Sequence, residues 1–119
     1  MASDSARAAE ARVVLMTAPD LSSAETIARA LVERRLAACV NLVPGVRSIY
    51  RWKGRIEDAP EVLLVAKTVA GRLGALEEAL AELHPYEVPE VVALEAERVA
   101  PRYLDWLRAE TSGAGAREP

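Results

Sequence analysis

A chain of 119 residues, 51% of them hydrophobic, holds enough apolar material for one core, and its net charge of −3 without a dense Lys/Arg block excludes the electrostatic footprint of a general nucleic-acid binder. The single cysteine excludes an internal disulfide and suits a reducing, cytoplasmic setting; no basic start followed by an apolar run marks a signal peptide. The longest apolar runs, such as VLLVA at 62–66, are too short to span a bilayer, so no membrane partner is expected.

Residues 1–10, MASDSARAAE, read as a flexible N-terminal arm, and 111–119, TSGAGAREP, as a disordered tail with Gly, Pro and no apolar period. Between them, 11–110 reads as one domain without repeat or linker. With two Trp, three Tyr and no Phe, its core must be built from Val, Leu, Ile and Ala.

RVVLMTAP at 12–19 predicts a short buried strand. A helix follows in DLSSAETIARALVERRLA, where Ser22 and Glu25 have the spacing of a capping box and Ala24, Ile27, Ala28 and Leu31 share one face. The stretch 38–57 alternates instead, with Val40, Leu42, Val46, Tyr50 and Trp52 on one side. Pro44–Gly45 should bulge this strand, and Lys53–Gly54 should turn it into a returning strand at 60–68. Leu73, Leu76, Leu80 and Leu83 lie at helical spacing until Pro85 forbids continuation. A fourth strand is expected over 90–99. Pro101 then suits the first turn of a last helix, which carries Tyr103, Trp106 and Leu107 on an apolar face.

The order β-α-β-β-α-β plus a helix specifies an α+β fold, the ferredoxin-like sandwich, with strands one and three central. Those two strands, VVLM and VLLVA, are apolar on both faces, whereas a strand with one wet face alternates. The sheet surface away from the helices is therefore expected to be covered. Either the last helix caps it alone, or a homo-oligomer closes it with the hairpin and last helix, Tyr50, Trp52 and Trp106 acting as interface anchors.

His84, in HPYEVPE, is the one histidine, and it reads either as a metal ligand or as a helix-end residue at the negative end of the dipole. Cys39 reads as a soft ligand, a nucleophile or a small buried hydrophobe. Met16 reads as core or as a thioether ligand beside His84 for Cu(I). Lys67 interrupts an apolar strand, where it either reaches solvent or faces a ligand cleft and takes a small anion. Tyr86 and Glu90 flank His84 in the same candidate cleft.

Together, VVLMTAPD, ERRLAACVNLVPGVRSIYRWKGRIE, LLVAKT, HPYEVPE and YLDWL resemble, in order and spacing over about residues 12–110, the CutA family of divalent-cation tolerance proteins. The resemblance implies a homotrimer with strands joined across subunits, similar in architecture to the PII signalling proteins. It also implies a link to metal tolerance, and copper binding in some members. Copper-binding members carry Cys where this chain has Met16 and a pair of His of which the second matches His84; Leu83 replaces the first.

The expected function is thus a trimeric, non-enzymatic protein that binds copper, another divalent cation or a small ligand at inter-subunit clefts, with no cofactor needed for folding. One alternative is a stable trimeric scaffold acting through a protein partner without metal. Another is an enzyme with Cys39 as nucleophile and His84 as base, although no third orienting group and no Gly-rich phosphate loop accompany them. An RNA-binding sheet of the same topology is excluded by the wholly aliphatic central strands.

Overall fold

A computed structural model describes residues 4–112. Its elements are α1 (Asp4–Ala8), β1 (Ala11–Ala18), α2 (Leu21–Glu33), β2 (Cys39–Trp52), β3 (Arg55–Val69), a 3-10 turn (Ala70–Arg72), α3 (Leu73–Leu83), β4 (Val92–Glu95) and α4 (Pro101–Glu110). The sheet order is β2-β3-β1-β4 with every pair antiparallel, so strands one and three are central, as the ferredoxin-like reading requires.

Register assigns each side chain to a face. Leu15 opposes Val65 and Met16 opposes Leu64, so the odd and even positions of β1 point to opposite sides. On one side Val14, Met16, Ala18, Val62, Leu64 and Ala66 pack with Ala24, Ile27, Leu31, Leu76 and Leu80 of α2 and α3. Each fully buried Leu, Ile or Met in this layer contributes about 1.5–3 kcal/mol over leaving it exposed. On the other side α4 covers one end, where Leu104 and Leu107 meet Ala11 and Val69. The rest of that surface is uncovered: Val13, Leu15, Leu63 and Val65 are half-buried, and Val43, Val92 and Leu94 are exposed. The last helix does not cap the sheet by itself.

Helix α2 starts two residues earlier than a cap at Ser22 predicts. Asp20 is the N-cap, in extended backbone, and its carboxylate accepts from the Ser23 amide at 2.7 Å; Ser22 is already helical. That bond to the Ser23 amide holds the Asp20 carboxyl below its ordinary range. The Pro44–Gly45 bulge is present, a register shift between Val43 and Val46 with Gly45 at φ 82°. At the hairpin tip Lys53 (φ 50°) and Gly54 (φ 79°) both take left-handed backbone, the pairing that suits a two-residue turn between twisted strands. Arg47 forks onto Asp58 across this hairpin, at 2.8 and 2.6 Å.

Strand β4 is shorter than the expected 90–99. Val91 packs against the main core, while Ala96 and Val99 turn to the α4 cluster, so only four residues remain in the ladder with β1. The Ala-rich segment read as a flexible arm contains α1, which sits where Gly71 has no side chain: a Cβ there would lie 3.0 Å from Ala8 Cβ. Thr111, read as the start of the tail, is buried, its hydroxyl donating to Leu107 O at 2.8 Å. The remainder of the expected tail, 113–119, and residues 1–3 lie outside the described residues.

Candidate functional site

The last helical bond of α3 runs from the His84 amide to Leu80 O at 2.8 Å, and Pro85 stops the helix there. His84 then turns its ring inward, leaving it 8% exposed. Nε2 lies 2.6 Å from Thr17 O, two residues past the end of the β1–β4 pairing, and Nδ1 accepts from the Tyr86 amide at 3.0 Å. The network assigns the proton to Nε2, since a carbonyl only accepts and Nδ1 must receive the amide hydrogen. Both ring nitrogens are used by main chain, and neither offers a lone pair to a metal.

This bracing sets the direction of HPYEVPE. The Tyr86 ring stacks obliquely on His84 with centroids 4.7 Å apart, and its hydroxyl donates to Glu61 Oε2 at 2.6 Å. Glu61 is only 7% exposed, so the phenol supplies a charge-assisted bond to a nearly desolvated carboxylate. Burial and then the Glu61 carboxylate push the Tyr86 phenol well above its ordinary value. Burial and then the Glu61 charge also push the Glu90 carboxyl up. A cleft of about 670 Å³ opens above these groups, walled by Tyr50 and Trp52 of the hairpin on one side and by Tyr86 and Glu90 on the other. Its polar lining is acidic, with Glu61, Glu87 and Glu90; Lys53 approaches from outside, 3.8 Å from Glu87. Such a surface recruits cations, and the rings add their negative faces to the carboxylates.

Of the expected cleft residues, Tyr86 and Glu90 meet here and Lys67 does not. Lys67 opposes Cys39 and Val13 near the far end of β3, six residues or about 20 Å along the strand from Glu61. There it donates to Asn41 Oδ1. Within one chain, register therefore keeps Lys67 away from Tyr86, and the acidic lining there disfavours a small anion.

The metal set Met16, Cys39 and His84 is also not assembled. Met16 is fully buried on the helix side of the sheet, whereas Cys39 lies on the opposite face, three β3 positions or about 10 Å away along the strand. With His84 saturated, these residues do not fit a copper centre within one chain. Among the described residues no group of three or more His, Cys, Asp or Glu is placed to hold a metal ion. The same separation parts Cys39 from His84 as nucleophile and base. Trp106 is exposed on α4, 5.3 Å from the Tyr103 ring, and Trp52 and Tyr50 are exposed on the hairpin.

Glu61 is the residue that reading the sequence missed. It lies inside the expected returning strand and shares the parity of Leu63, Val65 and Lys67, and so faces the sheet surface away from α2 and α3.

Comparison with known proteins bears on this arrangement. The family model described as CutA1 divalent ion tolerance protein matches residues 12–110. The divalent-cation tolerance protein CutA of Thermus thermophilus is 54% identical over 99 residues, covering 83% of this chain and 96% of that one. A CutA homolog from Xenopus laevis is 48% identical over 107 residues, covering 90% of this chain and 71% of its own length. Among solved structures, the divalent cation tolerance protein from Thermus thermophilus superposes with a TM-score of 0.84 at 52% identity, over 86% of this chain and 99% of that one.

Proposed function

The chain belongs to the CutA1 divalent ion tolerance family, and from that premise we propose that it is a non-enzymatic, self-associating tolerance protein whose acidic–aromatic cleft receives a divalent cation, copper or another. The single observation that carries the reading is the buried Glu61 carboxylate, clamped by Tyr86 beneath an open cleft with Glu90 across from it. Oxygen ligands of this kind suit divalent cations, and two carboxylates from one chain leave coordination positions for a neighbour to fill. In this reading His84 orients Tyr86 rather than touching the ion.

Self-association as a trimer is supported by the uncovered apolar sheet surface and the free edge of β4. A monomer would leave Val43, Val92 and Leu94 in water, contiguous with the half-buried Leu63 and Val65. Binding rather than catalysis is supported by the separation of Cys39, opposite Lys67, from His84, which bonds Thr17 O opposite Leu63. A reducing compartment such as the cytoplasm is the setting that a free cysteine fits, and no helix among the described residues is long and apolar enough to cross a membrane.

Two measurements test the proposal. Sedimentation equilibrium at micromolar concentration should give three times the 12.8 kDa chain mass. Calorimetric titration of metal-free protein with Cu(II), Zn(II) and Mn(II) should show saturable binding of at least one, weakened tenfold or more by Glu61→Gln and by Glu90→Gln. Equal binding by the wild type and both variants, or none by any, overturns the cleft as the cation site.

A second reading, a scaffold acting through a protein partner, is favoured by Ile49 and Ile56, which are strongly exposed on the long hairpin. It differs in expecting both Gln variants to behave as wild type in a metal-response assay.

A further inference from the structure

A second cavity lies at the opposite end of the molecule, and its chemistry is the reverse of the first. About 320 Å³ in volume, it is bounded by Ala8 and Ala9, by Val69 and Gly71, and by Arg72, Arg108 and the Thr111–Ser112 turn. Among the described residues, no carboxylate side chain lines it. We infer that this cavity is an oxyanion site for a small carboxylate or phosphate, gripped between the guanidinium groups of Arg72 and Arg108.

The two arginines are held by the same device. Arg72 donates Nε to Thr111 O at 2.7 Å, and Arg108 donates Nε to Ala9 O at 2.9 Å. Each guanidinium is thereby fixed through its inner nitrogen to main chain, and its two outer nitrogens are left to donate elsewhere. Neither arginine has an ion-pair partner among the described residues, whereas Arg12, Arg34, Arg35 and Arg47 all do. Two pre-oriented, un-neutralised guanidiniums on one cavity match the paired oxygens of a carboxylate or phosphate.

The backbone adds to the same potential. Gly71 and Arg72 belong to the 3-10 turn that leads into α3, which starts with no side-chain cap and no acidic residue in its first turn. The positive end of the α3 dipole thus points to the cavity side and favours an anion. Ala8, Ala9 and Val69 supply an apolar floor that leaves room for a short organic body behind the charged group.

The cavity depends on α1. Ala8 approaches Gly71 so closely that a Cβ there would meet Ala8 Cβ at 3.0 Å and Ala8 O at 3.2 Å. Four of its lining residues, Ala8, Ala9, Thr111 and Ser112, lie outside the 12–110 that match the family model. The site is therefore a feature of this chain's flanking segments rather than of the shared domain.

The test is a 1H–15N NMR titration of the full chain with inorganic phosphate and separately with propionate, at constant ionic strength set by chloride. The Arg72 and Arg108 Nε–Hε signals and the Gly71 and Ser112 amides should shift saturably, with millimolar affinity or tighter. Arg108→Gln, on an exposed helix position, should weaken binding tenfold or more without unfolding the chain, and Arg72→Gln should do the same. Gly71→Ala keeps both charges but forces α1 away, so it should also weaken binding. Saturation by phosphate alone assigns the site to phosphoryl groups, and by propionate with equal or greater affinity assigns it to carboxylates. Linear shifts in both titrations, or saturable shifts unchanged in Arg108→Gln and Arg72→Gln alike, overturn the inference. Loss of binding in the arginine variants with full binding in Gly71→Ala overturns the built cavity in favour of two independent surface cations.

Discussion

The hydroxyl of Tyr86 and the carboxylate of Glu61 sit 2.6 Å apart although 25 residues separate them, and this bond ties the loop after α3 to the middle of β3. Removing the hydroxyl leaves a nearly buried carboxylate one donor short. Tyr86→Phe should cost about 1–3 kcal/mol of unfolding free energy, read from urea denaturation at pH 7.

The same bond sets an alkaline limit. The folded phenol titrates above its ordinary value of 10.0, so the native state holds a proton that the unfolded chain releases. Its stabilisation is complete below pH 10 and is lost as pH rises from there. The gap in stability between wild type and Tyr86→Phe should narrow progressively from pH 10 to pH 12. A gap that stays constant over that window contradicts the assignment.

Glu90 works in the other direction at neutral pH. Its carboxyl is raised, by burial and by the neighbouring Glu61 charge, so ionised Glu90 opposes the native state. The stability linked to its proton is present below the ordinary value of 4.5 and is lost as pH rises through the raised folded value. Glu90→Gln should therefore raise the melting temperature at pH 7 and leave it unchanged near pH 3.5. The same substitution should weaken cation binding, which separates a binding residue from a structural one.

His84 serves two main-chain groups at once, and its loss should show in both. His84→Ala strands the Thr17 carbonyl and the Tyr86 amide, a cost of about 2–4 kcal/mol from unmet hydrogen bonds and the vacated ring volume. Amide exchange at Tyr86 should accelerate more than exchange in α2, because the loop loses its brace before the core loses its packing.

Much of this architecture is legible in the residues, and what is not has a common cause. VVLM and VLLVA mark the two strands that carry apolar side chains on both faces, and these are the two at the centre of the sheet. Pro44–Gly45, Lys53–Gly54 and Pro85 each mark a backbone event that sterics enforce locally. Glu61 and Lys67 are different. Both interrupt the same face of β3, and only the register with β2, together with the path of the loop after α3, decides that the first is buried under Tyr86 and the second lies about 20 Å away. Likewise Asp20 and Ser22 are both good caps in isolation, and the choice depends on how the chain leaves β1. His84 reads as a ligand by its chemistry; its two hydrogen bonds to main chain depend on partners 67 residues and 2 residues away.

Leu94 offers the sharpest probe of the uncovered sheet surface. It stands on β4 opposite Val13, is 47% exposed, and neighbours Val92, 46% exposed, on the same face. In a lone chain a lysine at this position would project into water at little cost, since surface substitutions away from packed groups change stability by about 0.5 kcal/mol or less. In an assembly that closes this face, the same ammonium is driven into an apolar contact and must be desolvated, which costs several kcal/mol per subunit. Leu94→Lys should therefore reduce the mass seen by sedimentation to that of a single chain while leaving the far-UV circular dichroism unchanged. An unchanged mass at micromolar concentration would place the association elsewhere, on the hairpin or on Trp106. A lost dichroism signal would mean that the fold itself depends on the contact, and the milder Leu94→Thr, measured over a dilution series, then distinguishes a weakened interface from an unfolded chain.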